Sequence, residues 1–281
     1  MSLGVPFEQP VDDSWARTAK PGRVISIANQ KGGVGKTTMA VNLGASIARA
    51  GRRVLLMDLD PQANASSGVG AVRSEASPTT YDLLLGREAL SEVVCPTEVD
   101  RLFLAPATPE LAGAEVELVG EEGRVNRLRD LTEGLRAEFD FVLIDCPPSL
   151  GLLTLNALVA SDSVIIPLQC EYYALEGLSH LMDTIERVRG GLNPTLEIEG
   201  IVLTMYDGRL NLSVQVAEEA RKHFGHRVYG TMIPRNVRLG EAPSFGRPVV
   251  TYDPGCLGAV SYERLAKEII ENEQARTGPR A

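Results

Sequence analysis

The chain has 281 residues, 44% of them hydrophobic and 23% charged, enough apolar material to bury a sizeable core. Its 28 Lys and Arg stand against 37 Asp and Glu, a net charge of −9, so contact with nucleic acid would have to come from a local basic patch. No run approaches the roughly 18 consecutive apolar residues of a membrane span, and the N-terminus lacks the basic start and apolar stretch of a signal peptide, which points to a cytoplasmic protein.

Residues 1 to 22 carry three prolines, scattered charges and no period, and read as a disordered tail. Arg23 to Asn29 is a nearly continuous apolar run, as for a strand buried on both faces. Thr37 to Ala50 has the helical period, with Ala40, Leu43, Ile47 and Ala48 near one face and Gly51 as its stop. Arg52 to Asp60 is a second strand that ends in acids. "TTYDLLLG" from Thr79 reads as a short helix, "RLFLAPA" from Arg101 as a strand, and Asn126 to Glu138 as a helix. "FDFVLIDCPPS" is a central strand halted at Pro147 and Pro148.

Leu153 to Ala160 is a helix, Asp162 to Gln169 a strand, Ala174 to Val188 a helix and Leu196 to Tyr206 a strand. Leu212 to Phe224 is helical, "HRVYGTMIP" from His226 is strand-like, and a last helix covers Ala259 to Glu273. Strands alternating with helices imply an α/β fold, a mostly parallel central sheet flanked by helices on both faces. No proline-rich linker divides the body, so residues 23–273 read as one domain between an N-terminal tail and a polar C-terminal tail over 274–281.

Cys95, Cys146, Cys170 and Cys256 form no C-x-x-C pair and read as buried free thiols. His223 and His226 lack a third ligand nearby and read as surface histidines.

The segment "ISIANQKGGVGKTTMAVNL" (Ile25 to Leu43) runs from strand to glycine-rich loop to helix, the context of a phosphate-binding loop. Gly32, Gly33 and Gly35 permit backbone angles that turn N–H groups inward, and the following helix adds positive potential. Lys36 is placed for the β- and γ-phosphates, the Thr37 hydroxyl for Mg²⁺, and Thr38 for the α-phosphate side. An ordinary Walker A loop would carry glycine at position 30, where this chain has Gln30. It instead fits K-G-G-x-G-K-T-T, with Val34 at x and Lys31 as an additional lysine.

A phosphate-loop fold needs carboxylates opposite the loop. Asp58 and Asp60 are two apart and share one side of an extended segment. Asp145 ends four apolar residues in the Walker B pattern, suited to bonding a Mg²⁺-bound water. The rigid Pro147-Pro148 that follows would hold a γ-phosphate-sensing switch.

Together these residues resemble the deviant-Walker-A ATPases, most closely the ParA/Soj chromosome-partitioning family. The resemblance runs from "IANQKGGVGKTT" through "VLLMDLDPQAN", "VLIDCPPSL", "EYYALEGL" and "LTMYDGR" to "IPRNVRLGEAPSFGRPV". It implies an ATP- and Mg²⁺-dependent homodimer with nucleotides sandwiched between subunits, Lys31 reaching across to the partner's phosphates. Asp60 would orient the attacking water, with Asp58 supporting Mg²⁺ and the switch. Pro234 and Asn236 would border the adenine.

The resemblance also implies sequence-blind binding to double-stranded DNA and association with the bacterial nucleoid. A ParB-like centromere-binding partner would stimulate a slow hydrolysis. From Thr204 to Pro248 the chain carries seven Lys and Arg against four Asp and Glu, a locally basic stretch in an acidic protein. The resemblance points to Arg209 and Arg238, then Arg235 and Arg247, as the DNA contacts.

Two other ATPases of this superfamily make different demands. A MinD-like membrane-associated positioning ATPase would need a basic amphipathic C-terminal helix, and "QARTGPRA" has no bulky apolar residue. An iron–sulfur reductase would need a second cysteine suitably placed for Cys146.

Overall fold

The structure is a computed structural model that describes residues 21–71, 74, 76–172 and 174–277. Its centre is a seven-stranded sheet: β1 (Arg23–Ile27), β2 (Val54–Asp58), β3 (Cys95–Pro96), β4 (Leu102–Ala105), β5 (Phe141–Asp145), β6 (Ser163–Gln169) and β7 (Glu197–Thr204). The order across the sheet is β3-β4-β2-β5-β1-β6-β7. All pairings are parallel except the short β3–β4 edge. The expected fold class is the observed one.

The apolar runs form central strands because both faces are covered. In β2, Leu55 and Met57 enter one hydrophobic cluster, and Val54 and Leu56 enter the other. In β5, Val142 and Ile144 face the first and Phe141 and Leu143 the second. This alternation is the two-residue period of a strand, made apolar on both sides. Each such buried side chain contributes about 1.5–3 kcal/mol of transfer free energy. Helix Lys36–Arg49 is buried nearly all round, from Met39 to Ala48, because it lies between the sheet and helix Leu257–Thr277.

The first two strands of the sequence reading end where the sheet places its chemistry. Asp58 of β2 and Ile27 of β1 both register with Asp145 of β5. The phosphate loop, Asp58 and Asp145 therefore meet at one end of three adjacent strands, as parallel topology requires.

Several elements depart from the sequence reading. "HRVYGTMIP" is not a strand: it makes only two isolated bridges, Val228 to Ile201 and Pro234 to Tyr206. Between them Glu268 of the last helix accepts the Gly230 and Thr231 amides at 2.9 and 3.1 Å, diverting two donors that a strand would have used. The last helix runs on through Thr277, four residues into the segment expected to be a tail. Gly22, also expected in a tail, belongs to the body. Its amide donates to the Arg136 carbonyl at 2.7 Å, and a Cβ there would stand 1.8 Å from the Phe139 carbonyl oxygen. Residues 1–20 of the expected N-terminal tail lie outside the described residues. Short helices at Asn64–Ser67, Leu90–Val93, Leu111–Glu117 and Val237–Glu241 carry too few residues to show a period. Cys146 and Cys170 are buried, whereas Cys95 and Cys256 are partly exposed, which corrects the expectation of four buried thiols.

Candidate functional site

The loop between β1 and helix Lys36–Arg49 takes its shape from two glycines. Gly33 has φ +73 and Gly35 φ +94, and an added Cβ would meet nothing at Gly33 and only the Thr204 methyl, at 4.0 Å, at Gly35. The need for glycine is thus conformational, not steric. Gly35 caps the helix without any side-chain bond, and no acid lies in the first turn, so the helix end keeps its positive potential.

The two lysines face different ways. The buried Lys36 donates its ammonium to the Lys31 carbonyl at 3.2 Å. Burial lowers its pKa, against the pull of Asp145, Cys146 and Asp60. The Lys31 ammonium turns outward and pairs with Glu171 at 3.1 Å. The Lys31 amide is fixed by the Asn29 side chain, itself bonded to the Pro167 carbonyl. Gly32 and Gly33 are exposed, Val34 is buried, and Thr37 and Thr38 are half-buried at the loop's exit.

The three acids are not equivalent. Asp58 has both oxygens engaged: one accepts the Asp60 amide at 3.0 Å, the other the Ser66 amide and hydroxyl at 2.8 and 2.7 Å. Burial pushes it up to about 6, with those hydrogen bonds opposing. Asp60 is buried beside it, accepting the Gln62 amide at 3.0 Å. Asp145 is fully buried, and neither oxygen has a partner in good hydrogen-bond geometry; the Thr37 hydroxyl lies near enough to oppose in part the rise in its pKa. Burial, then the charge of Asp58, raise it well above the carboxylate range.

An orphaned buried carboxylate is costly and signals a missing partner. The residues fit a divalent cation held mainly by phosphate oxygens and water. No group of three or more His, Cys, Asp or Glu among the described residues makes an all-protein metal cage. Such sparse protein ligation suits Mg²⁺, which keeps much of its water. Thr37 would be the direct ligand and Asp145 the acceptor for a bound water. Asp58, expected to support the metal, also shapes the Asp60–Ser66 turn through the donors it accepts.

Pro234 is bridged through its neighbours to Tyr206, and Asn236 caps helix Val237–Glu241 by accepting the Arg238 amide at 2.9 Å. The four arginines do not form one cluster. Arg209, just beyond β7, is gripped by Asp207 at 2.9 and 2.7 Å. The Arg235 amide bonds the Tyr206 carbonyl nearby. Arg238 pairs with Glu241 and Asp253 at 2.7 and 3.2 Å. Arg247 pairs with Glu98, just past β3 and so at the opposite edge of the sheet from β7.

Sequence reasoning assigned no role to Ser66, Glu171 or Thr204, which respectively hold Asp58, Lys31 and the Val34 carbonyl. Glu171 and Thr204 lie within or beside the quoted blocks "EYYALEGL" and "LTMYDGR", so the signal was present without a role attached. Among the described residues no helix is long and apolar enough to cross a membrane.

The AAA-domain family profile matches residues 22–198. A chromosome partitioning protein ParA of Myxococcus xanthus is 55% identical over 259 residues, covering 92% of each chain. The sporulation initiation inhibitor protein Soj of Bacillus subtilis is 54% identical over 251 residues, 89% of this chain and 99% of its own. Among solved structures, cobyrinic acid a,c-diamide synthase from Mycobacterium smegmatis, with bound ADP and magnesium, superposes with a TM-score of 0.79. It is 36% identical, over 92% of this chain and 96% of that one.

Proposed function

The chain belongs to the ParA/Soj family of chromosome-partitioning ATPases, and from that premise we propose that it is a nucleotide-controlled switch for DNA partitioning. ATP occupies the phosphate loop with Mg²⁺ and brings two chains together, and the dimer holds double-stranded DNA without regard to sequence. Hydrolysis, stimulated by a ParB-like centromere-binding partner, releases it. The protein works in the bacterial cytoplasm on the nucleoid.

The observation that carries this reading is the division of labour between the two lysines. Lys36 is buried at the loop, and Lys31 carries its charge outward on the same loop. Lys36 serves the phosphates of its own chain, and Lys31 leaves Glu171 to reach those of the partner. Thr37 and Asp145 would hold Mg²⁺, which when bound would neutralise phosphate charge. Asp60, held by the Asp58 and Gln62 contacts, orients the attacking water. Backbone N–H groups of Gly32, Gly33, Val34 and Gly35, with Thr38, bind the phosphates, while Pro234 and Asn236 border the base. Arg209, Arg235, Arg238 and Arg247 supply phosphate contacts to DNA, giving sequence-blind, salt-dependent binding.

Co-sedimentation of the full chain with a random-sequence duplex, in ATP, ADP or no nucleotide, tests the reading. DNA capture in ATP alone supports it; equal capture in all three overturns it.

A further inference from the structure

The end of β7 touches both halves of the proposed switch. Thr204 is its last residue and is buried. The Thr204 hydroxyl donates to the Val34 carbonyl of the phosphate loop at 2.8 Å, a bond between residues 170 apart in sequence. Because a trans peptide is planar, its C=O and N–H point opposite ways. Anchoring the Val34 carbonyl on Thr204 therefore turns the Gly35 N–H away from β7. That N–H is one of the donors a phosphate would use.

The next residues run outward to the basic surface. Met205 has φ +50, a conformation a side-chain-bearing residue keeps only when its neighbours impose it. Its sulfur accepts from the Gln169 amide at 3.2 Å. Tyr206 then pairs on both sides, donating to the Ile233 carbonyl at 3.0 Å and accepting from the Arg235 amide at 3.2 Å. Asp207 is held by the Ser213 hydroxyl and grips Arg209. Thus Thr204 to Arg209 contact the phosphate loop at one end and two DNA-candidate arginines at the other.

We propose that Thr204 is a positioning residue that couples the phosphate loop to Arg209 and Arg235. Phosphate on the Gly35 amide fixes the Val34–Gly35 peptide. Thr204 transmits that state through the constrained Met205 to Tyr206 and Asp207, and so to the arginines they hold. This inference rests on the reading of the chain as an ATP-controlled DNA binder.

The test uses Thr204→Val, which keeps the shape of the side chain and removes the hydroxyl. ATP and ADP affinities are measured by titration, and affinity for a random-sequence duplex is measured in each nucleotide. Loss of one hydrogen bond to the loop weakens ATP binding about two- to tenfold. The ratio of DNA affinity in ATP to that in ADP falls toward one, and Thr204→Ser restores both. A merely structural residue would lower thermal stability without moving that ratio. Wild-type ATP affinity with an unchanged ratio overturns the proposal. Should Thr204→Val not fold, Met205→Gly keeps the positive φ and frees the segment. The ratio must fall there too, and an unchanged ratio overturns the coupling. If the wild type shows no difference between ATP and ADP, the DNA-switch reading fails, while the ATP-affinity arm still decides whether Thr204 positions the loop.

Discussion

The Lys36 ammonium donates to the backbone carbonyl of Lys31 at 3.2 Å, so the two lysines of the loop are in contact while their charges lie in different places. Lys36 is buried and Lys31 is paired outward with Glu171. The bond also positions Lys31: the buried ammonium pins the backbone from which the outer lysine projects.

Lys36→Ala removes the buried cation from the loop, and ATP affinity should fall by at least about a hundredfold, since a charge-assisted contact in a low-dielectric site is worth about 3 kcal/mol or more. Isothermal titration with ATP and Mg²⁺ measures this. An unchanged affinity would remove Lys36 from the site.

Lys31→Ala should behave differently. It keeps ATP affinity within about threefold, because the side chain is half exposed and directed away from its own loop. It loses ATP-dependent self-association and turnover. Sedimentation velocity with ATP reads the first, and phosphate release the second. A variant that dimerises and hydrolyses normally would reduce Lys31 to a surface charge.

Asp145→Asn carries a prediction of opposite sign for stability and function. In the folded chain without nucleotide, Asp145 and Asp58 have raised pKa values, so unfolding exposes them to water where they ionise more easily. Their favourable contribution is complete below about pH 4, the unfolded value, and is lost as pH rises through the folded value, about 6 for Asp58. Asp145→Asn should therefore stabilise the nucleotide-free chain by about 1–3 kcal/mol at pH 8 and less at pH 5. It should also weaken the Mg²⁺ dependence of ATP binding. Thermal melts at the two pH values check the first claim, and a melt that drops equally at both contradicts it.

Arg238→Glu should weaken DNA binding at every sequence and flatten the plot of log affinity against log salt by about one unit per lost phosphate contact. ATPase activity without DNA should survive, because Arg238 contacts Glu241 and Asp253 and none of the loop residues. Fluorescence anisotropy across salt concentrations measures the slope. Equal loss of ATPase and DNA binding would make Arg238 structural.

The alternation of strands and helices was legible because the central strands are apolar on both faces and the glycine loop sits at a strand–helix junction. Lys31 and Lys36 stand out by their spacing at that junction, and Asp145 by the four apolar residues of β5 that it ends. What stayed hidden depends on partners far apart in sequence. Ser66 completes Asp58 from a four-residue helix, Glu171 holds Lys31 across 140 residues, and Glu268 dissolves the expected strand at His226 by taking two of its amides. The scatter of Arg209 and Arg247 to opposite sheet edges follows from topology, which a count of charges along the chain does not contain.

We propose that ATP joins two chains and that Asp60 acts in hydrolysis alone. The most direct measurement is the solution mass of Asp60→Ala in ATP, in ADP and without nucleotide. Asp60→Ala should form a stable dimer in ATP only, retaining DNA and releasing no phosphate. A variant that stays monomeric in ATP would contradict it and move Asp60 from the attacking water to the metal.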